Sequence, residues 1–263
     1  MRLKQRIYED YFKPSRLPEY RTVLECFKDA GYRMLGVLEW PNLVTAGGGG
    51  LDKVLINRHD IDTSPKVARE MFDIEKSVYG HEGSATYYFR DSTVDKKLIA
   101  DIENYGYETG YHYEELATYE KLHKQKNVEK MRAALPECRK MFLDNIKRFR
   151  KETGSRCMTV ASHGDFINTR YKIQNVEILA DEDTRENAGI VAEAYDKVVT
   201  QPIGARYADQ VLLGKFSEEV KKGIAERYNV VMMLTHPRNW KVDVVANTLD
   251  NLGRFLQGWK YRG

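Results

Sequence analysis

The sequence predicts an α/β fold in which a mostly parallel sheet is wrapped by helices. Predicted strands and helices alternate from one end of the 263-residue chain to the other. Because no linker, repeat or low-complexity stretch separates them, residues 1–263 are expected to form a single domain. This pattern fits either a barrel or an open doubly wound sheet. Both architectures place their functional sites at the carboxyl ends of the strands.

Apolar spacing and turn residues define the elements of the first half of the chain. A helix over Glu19–Ala30 is ended by Gly31, and a strand follows over residues 34–38. The run Gly47–Gly50 predicts a flexible loop. It does not predict a phosphate loop, because no Lys-Ser/Thr pair and helix follow it. The next predicted elements are a strand running into Asp60, a helix over 65–79, a strand over 84–89, a helix over 93–104 and a strand over 106–112.

The second half of the chain is read less completely. A long helical stretch over residues 127–151 is expected to be interrupted at Pro136, and a strand follows over 157–161. Residues 166–210 show no clear pattern. The chain then continues with a helix over 217–227, a strand over 229–234 and a helix over 243–257.

Composition and charge exclude several classes of function. The chain has 42 basic and 39 acidic residues spread along its length, which predicts neither a nucleic-acid groove nor a polybasic membrane patch. Its apolar runs are too short to cross a bilayer, and its start lacks the apolar core of a secretory signal. Three widely spaced cysteines indicate no disulfide framework, which suits a cytoplasmic protein. An interaction scaffold is disfavoured, because no exposed apolar heptad pattern is recognised.

Two aspartates stand where one predicted strand ends. The apolar run over 53–56 leads into Arg58-His59-Asp60-Ile61-Asp62. Residues two apart on a strand point the same way, so Asp60 and Asp62 project together. Buried carboxylates are costly unless a cation or a proton-transfer role holds them. His59 alternates with the aspartates and is expected to face the other side of the sheet, in a structural role.

Four of the six histidines fall at or just past a predicted strand end: His59, His112, His163 and His236. Each by itself has a structural explanation, as a buried imidazole or as a partner of a turn. In a parallel sheet, however, the strand ends gather on one face, where histidines distant in sequence meet the paired aspartates. The set as a whole therefore indicates a functional site.

Such a cluster suits metal-assisted hydrolysis. An oxygen ligand and imidazoles with one open position fit zinc or a similar divalent ion, which acidifies a bound water and polarises a carbonyl. A carboxylate can then take the proton of the water, and a histidine can protonate the leaving amine. Asp60 and Asp62 could divide the roles of base and ligand between them. Nucleophilic catalysis is disfavoured, since the chain has no Gly-x-Ser-x-Gly elbow and no credible cysteine nucleophile.

The order of these motifs resembles that of the polysaccharide deacetylase superfamily, in the subgroup linked to cell-surface and O-antigen polysaccharide biosynthesis. The resemblance rests on Arg58-His59-Asp60-Ile61-Asp62, Ala85-Thr86-Tyr87-Tyr88-Phe89, residues 106–112 and Leu234-Thr235-His236-Pro237. It covers roughly residues 53–240. It implies a distorted (β/α) barrel that uses a divalent metal, with Zn²⁺ the expected one, to remove an N-acyl group, usually acetyl, from an amino sugar.

The resemblance also implies roles for individual residues. Asp60 would be the general base, Asp62 and His112 metal ligands, and His236 the general acid. Ile61 separates the two aspartates that the family usually has adjacent, so the division between base and ligand is open. Arg58, Glu114 and Trp240 are the predicted substrate-binding residues. Arg58 would bind a phosphate or carboxylate of the substrate, or would simply neutralise Asp60.

One ligand of the family pattern is missing. The second histidine, expected four residues after His112, is replaced by Leu116. Glu114 or Glu115 could substitute for it, or His163 could approach from the next strand end. We favour His163, because Ser162-His163-Gly164-Asp165 is an abrupt polar turn directly after a predicted buried strand.

The expected protein is thus a cytoplasmic metal-dependent amide hydrolase whose substrate is a small-molecule or lipid-linked amino sugar, with no nucleic-acid partner and no integral membrane segment. Two alternatives stay open at this stage. The same site would serve to cleave another C–N bond or an ester, or the barrel would bind a carbohydrate without catalysis.

Overall fold

The computed structural model describes residues 3–45, 52–125, 127–212 and 214–262, so the loop predicted over Gly47–Gly50 lies outside the described residues. The strands, in chain order β1 to β8, are Arg33–Leu35, Val54–Ile61, Thr86–Phe89, Glu108–Tyr113, Thr159–Ser162, Ala192–Glu193, Ala205–Ala208 and Val230–Thr235. The helices, in chain order α1 to α13, are Leu3–Tyr11, Leu17–Asp29, Glu39–Thr45, Pro65–Tyr79, Lys96–Tyr105, Glu115–His123, Val128–Ala133, Leu135–Thr153, Phe166–Tyr171, Glu182–Ala188, Lys197–Thr200, Phe216–Ala225 and Val244–Arg262.

The strands form one parallel sheet that curls into a half-barrel wrapped by helices. Its order is β6-β5-β4-β3-β2-β8-β7, and β1 pairs with the first part of β2. All recorded strand pairs are parallel, so every carboxyl end lies at the same rim. The predicted fold class is confirmed. Within the described residues the two end strands, β6 and β7, do not pair with each other, so the barrel stays open on that side.

Alternation along the strands divides the core into two layers. Outward-facing strand residues pack against the surrounding helices, as Leu55, Tyr87 and Val231 do. Inward-facing residues form a second cluster with Trp40 of α3, including Ile56 and Tyr88. The inward set on β2 continues to positions 58 and 60, so the inner face changes from apolar to charged toward the carboxyl rim. This change places the candidate site at the mouth of the half-barrel.

The element boundaries confirm much of the prediction and correct some of it. Helix α4 spans the predicted residues 65–79, and the long helical stretch breaks at Ala134, so that Pro136 stands in the first turn of α8, where a proline costs no hydrogen bond. Helices α1, α3 and α6 were not predicted. The unreadable segment 166–210 holds three short helices and the short strands β6 and β7.

None of the helices in the described part of the chain is both long enough and apolar enough to span a membrane.

Candidate metal centre

Three side chains from neighbouring strand ends converge at the rim of the half-barrel. Asp62 directly follows β2, His112 lies near the end of β4, and His163 directly follows β5. Asp62 Oδ1 lies 3.3 Å from His112 Nε2 and 3.5 Å from His163 Nε2. One potential ligand atom from each residue lies within 4.8 Å of the other two. The convergence follows from the register, which pairs His112 with Ala161, two residues before His163.

The Nδ1 atoms of His112 and His163 each have a hydrogen-bond partner within the protein. His112 Nδ1 donates to the carbonyl of Ala161 at 2.9 Å, and His163 Nδ1 donates to Glu114 Oε2 at 2.9 Å. Arg90 in turn donates to Glu114 Oε1 at 2.6 Å. Partners of this kind fix the tautomer and the orientation of a metal-binding imidazole. Both Nε2 atoms are therefore left to face Asp62.

The donor set fits a divalent cation. Asp62 Oδ1 is a buried oxygen with no hydrogen-bond partner, although it faces two imidazole nitrogens. Burial would raise the pKa of Asp62, but the nearby His112, His163 and His236 lower it well below its usual range, so the carboxylate is ionised. One carboxylate and two imidazoles with open positions are a ligand set that zinc and other first-row metals accept.

Asp60 is held differently from Asp62. Its carboxylate accepts two hydrogen bonds from Arg58, both at 2.8 Å, in a buried bidentate pair. His112 Nε2 lies 3.5 Å from Asp60 Oδ2, so the pair borders the metal centre. Burial opposes ionisation, yet Arg58 and His112 lower the pKa of Asp60 below its usual value. The structure thus places Asp60 beside the three potential ligands.

His236 follows β8 and is held by a carboxylate that sequence reasoning missed. Its Nδ1 donates to Asp209 Oδ1 at 2.8 Å, and its backbone N–H donates to Asp209 Oδ2 at 2.7 Å. Burial would lower the pKa of His236, but Asp209 and, more weakly, Asp62 and Asp60 raise it to about 9. The imidazole is therefore protonated at neutral pH in the metal-free protein.

The three predicted substrate-binding residues occupy supporting positions. Trp240 is fully buried and donates its indole N–H to Asp209 at 3.0 Å, so it orients the partner of His236 and has no surface to offer a substrate. Arg58 is 1% exposed and neutralises Asp60, which was the alternative reading of that residue. Glu114 orients His163 instead of facing the centre. The burial of Trp240 and the pairing of Arg58 with Asp60 thus leave these two residues in supporting positions, whereas Glu114 also lines the cleft at the site, so its substrate contact stays a prediction.

The structure also tests the expectations for His59 and for the alternative third ligands. His59 points to the opposite face, where it contacts Glu75 of α4 at 2.6 Å and Thr235 at 2.6 Å. Glu115 accepts hydrogen bonds from Tyr111 and Asn145, away from the centre. His163 therefore occupies the place near Asp62 and His112 for which Glu114 and Glu115 were the alternatives.

Asp209, Arg90 and Tyr195 were not singled out from the sequence. Asp209 directly follows β7, so its signal was again a carboxylate at a strand end. Tyr195, two residues past β6, accepts a hydrogen bond from Arg58 at 3.2 Å and stacks on its guanidinium. Asp209 and Tyr195 both lie in segment 166–210, for which the sequence showed no readable strand pattern.

An open cleft of about 400 Å³ leads to the metal centre. Asp62, Arg90 and Glu114 line its inner side. The opposite wall belongs to α13, through Leu249, Asp250 and Gln257 among others. Helix α13 thus forms one wall of the cleft.

Comparisons with known proteins add little to this geometry. No protein-family model matches the chain, and a search of curated proteins gave no match. Among solved structures, a mutant of the peptidoglycan deacetylase PdaC from Bacillus subtilis aligns with 80% of this chain and 96% of its own, at 14% sequence identity and a TM-score of 0.33. At that TM-score the likeness carries no argument about the substrate or the site.

Proposed function

We propose that the protein is a metal-dependent hydrolase that removes an N-acyl group, with acetyl as the first candidate, from an amino sugar used in surface polysaccharide biosynthesis. The observation that carries the proposal is the convergence of Asp62, His112 and His163, with two free Nε2 atoms facing an unpartnered carboxylate oxygen. The motif order in the sequence supports the carbohydrate substrate class.

Asp62, His112 and His163 would hold the ion, and Zn²⁺ is the metal expected for this set of nitrogen and oxygen ligands. When bound, such an ion acidifies water and polarises the acyl carbonyl. The protein contributes the preorganised ligands, because Glu114 and the carbonyl of Ala161 hold the two imidazoles in place before any ion arrives.

Two further residues would move protons. Asp60 would accept the proton of the attacking water, while Arg58 fixes the orientation of its carboxylate. His236 would donate a proton to the departing amine. Its pairing with Asp209 favours the protonated imidazole, which is the state that a general acid needs.

Asp62→Ala and His112→Ala test this proposal, with His123→Ala as the matched control. His123 lies exposed on α6, where its ring packs against Tyr119, and it is not one of the three potential ligands. After dialysis against Zn²⁺, the two site variants should lose bound zinc, measured by mass spectrometry, and should lose turnover, while the control keeps both. Full zinc content and full activity in either site variant would contradict the proposal.

The bond that is cleaved is identified by its product. Amino-sugar derivatives carrying acetyl or formyl amides are incubated with the zinc-loaded protein, and acetate, formate and ammonia are assayed. Release of acetate or formate supports an N-acyl hydrolase. Release of ammonia alone indicates cleavage of another C–N bond, and zinc binding with no released product supports a carbohydrate-binding barrel.

A further inference from the structure

Helix α13 packs on the protein with its polar side. Asn247 is fully buried and donates to the carbonyl of Asp10 at 2.8 Å, and Asn251 donates to Asp10 Oδ2 at 3.0 Å. Asp250, on the same side, accepts a hydrogen bond from Arg238 at 2.9 Å. A surface helix of a globular protein normally buries its apolar stripe, so this orientation is inverted.

The apolar side of α13 consequently faces outward. The residues on it recur at spacings of three and four and are between 43% and 71% exposed: Val245, Leu249, Leu252, Phe255, Leu256 and Trp259. The expectation that the chain exposes no apolar heptad pattern is therefore wrong. Periodicity predicts the stripe, but it does not reveal which side of the helix the protein covers. A contiguous apolar surface of this kind marks an interaction site.

Helix α1 extends the same surface. Ile7, Tyr8 and Phe12 at this end of the chain are 42%, 50% and 70% exposed. Ile7 and Phe255 line one groove between α1 and α13, and Arg6 donates to Asn251 at 2.6 Å across it. We call the outward apolar residues of the two helices, with Phe12, the α1/α13 face. It is rich in aromatic side chains, which favour the boundary between water and lipid.

The two segments that carry this face are basic in sequence. Residues 1–13 and 244–263 together contain seven basic and three acidic residues, an excess of four, whereas the whole chain carries a net charge of only +3. The three acidic side chains are paired, Glu9 with Lys13, Asp10 with Arg6 and Arg238, and Asp250 with Arg238 and Arg254. Lys4 stays exposed on α1. The even charge balance of the whole sequence conceals this local excess.

We infer that the α1/α13 face docks on an anionic membrane surface. Amphipathic helices with aromatic and leucine residues on one side and basic residues around them bind in the headgroup region, through apolar burial and attraction to anionic lipid. The basic excess complements such a surface, whereas it would repel the same face of a second copy. The membrane is therefore the occupant that the charges favour.

Docking would bring the mouth of the candidate metal centre to the membrane. Leu249 belongs both to the α1/α13 face and to the wall of the cleft that contains Asp62. A substrate carried on a lipid would then present its sugar to the cleft without leaving the membrane surface. This consequence rests on the proposed hydrolase function, whereas the docking itself does not.

The test is sedimentation of the full chain with vesicles of phosphatidylcholine alone or mixed with phosphatidylglycerol. We expect binding to the mixed vesicles that weakens as salt is raised. Leu252→Glu combined with Trp259→Glu should weaken it by at least about tenfold, because two large apolar side chains no longer enter the lipid. The matched control is Leu122→Glu with Val211→Glu, at exposed apolar positions that are not part of this face, which should bind as the unchanged protein does.

Several results would overturn the inference. They are absence of binding to the anionic vesicles, equal binding by the Leu252/Trp259 variant, or a stable dimer of the unchanged protein that the same variant separates into monomers in sedimentation equilibrium. Lys4→Glu gives an independent check, since it should weaken binding to anionic vesicles without altering a folded apolar face.

Zinc content separates this inference from the proposed function. The Leu252/Trp259 variant should bind zinc normally, because neither residue contacts the metal centre. Lost docking with normal zinc binding bears only on the α1/α13 face, and lost zinc binding in Asp62→Ala with normal docking bears only on the metal centre.

Discussion

Replacing Asp209 with asparagine should abolish the elevated pKa of His236. Asparagine keeps the size of the side chain and one acceptor oxygen, but it removes the negative charge that lies 2.8 Å from His236 Nδ1. The rise of the pKa from 6.5 to about 9 corresponds to about 3 kcal/mol in favour of the protonated imidazole. Because His236 stays buried in the variant and keeps only the weaker influence of Asp62 and Asp60, its pKa should fall well below 9 once the carboxylate is gone.

The same substitution should change how stability depends on pH. Since the pKa of His236 in the folded protein lies above its ordinary value, protonation stabilises the fold fully below about pH 6.5. That contribution is lost as the pH rises toward about 9. Over this window the free energy of unfolding of the metal-free protein should fall by about 3 kcal/mol more than that of Asp209→Asn. Urea denaturation at several pH values measures the difference.

The direct assay is an NMR titration of histidine ring signals in the metal-free protein, with His236→Ala identifying the relevant signal. A titration midpoint near 6.5 in the unchanged protein, or the same midpoint before and after the Asp209 substitution, would refute the reasoning. A lost midpoint near 9 with an intact fold, checked by circular dichroism, would support it.

Three further substitutions test other parts of the site and the barrel. Glu114→Gln should weaken zinc affinity about 10- to 100-fold in calorimetric titration, since it weakens the support of a ligand histidine, and an unchanged affinity would exclude that role. Arg58→Met should destabilise the fold by about 3–5 kcal/mol in urea denaturation, by leaving Asp60 buried without its partner, and adding Asp60→Asn should restore most of the loss. Gly110→Ala should cost at least about 1–3 kcal/mol, because a Cβ there would lie 2.5 Å from a backbone oxygen, whereas Gly253→Ala, with nothing within 4 Å, should be neutral or stabilising.

The sequence allowed the convergence of the three candidate ligands to be predicted because the geometry of parallel strands is simple. Asp62, His112 and His163 each come at or just after a strand end, and parallel strand ends meet at one rim whatever their separation along the chain. The positions of the strands were legible because β2, β4 and β5 are bounded by turn residues or by helices with clear apolar stripes.

The supporting residues were less accessible to sequence reasoning. Asp209 follows β7, a strand of four residues that contains Arg206 and has only one buried member, Tyr207, so neither length nor apolar pattern revealed it. The roles of Glu114 and Trp240 depend on which atom each side chain reaches, and spacing along the chain does not determine that. The sequence also did not predict the orientation of α13. An apolar stripe predicts which side of a helix is buried only when other elements pack against that side.

Strand β2 has specific partners on both of its faces. Inward, Arg58 and Asp60 bind each other, and outward, Asn57 and His59 both donate to Glu75, at 2.7 and 2.6 Å. A slip by one residue would exchange the two sets and leave charged and polar groups buried without partners on both sides of the sheet. The register of this strand is thus specified on both faces, inward by the Arg58–Asp60 pair and outward by Glu75 of α4. Because Asp62 directly follows β2, the same register that pairs these side chains also places Asp62 at the rim.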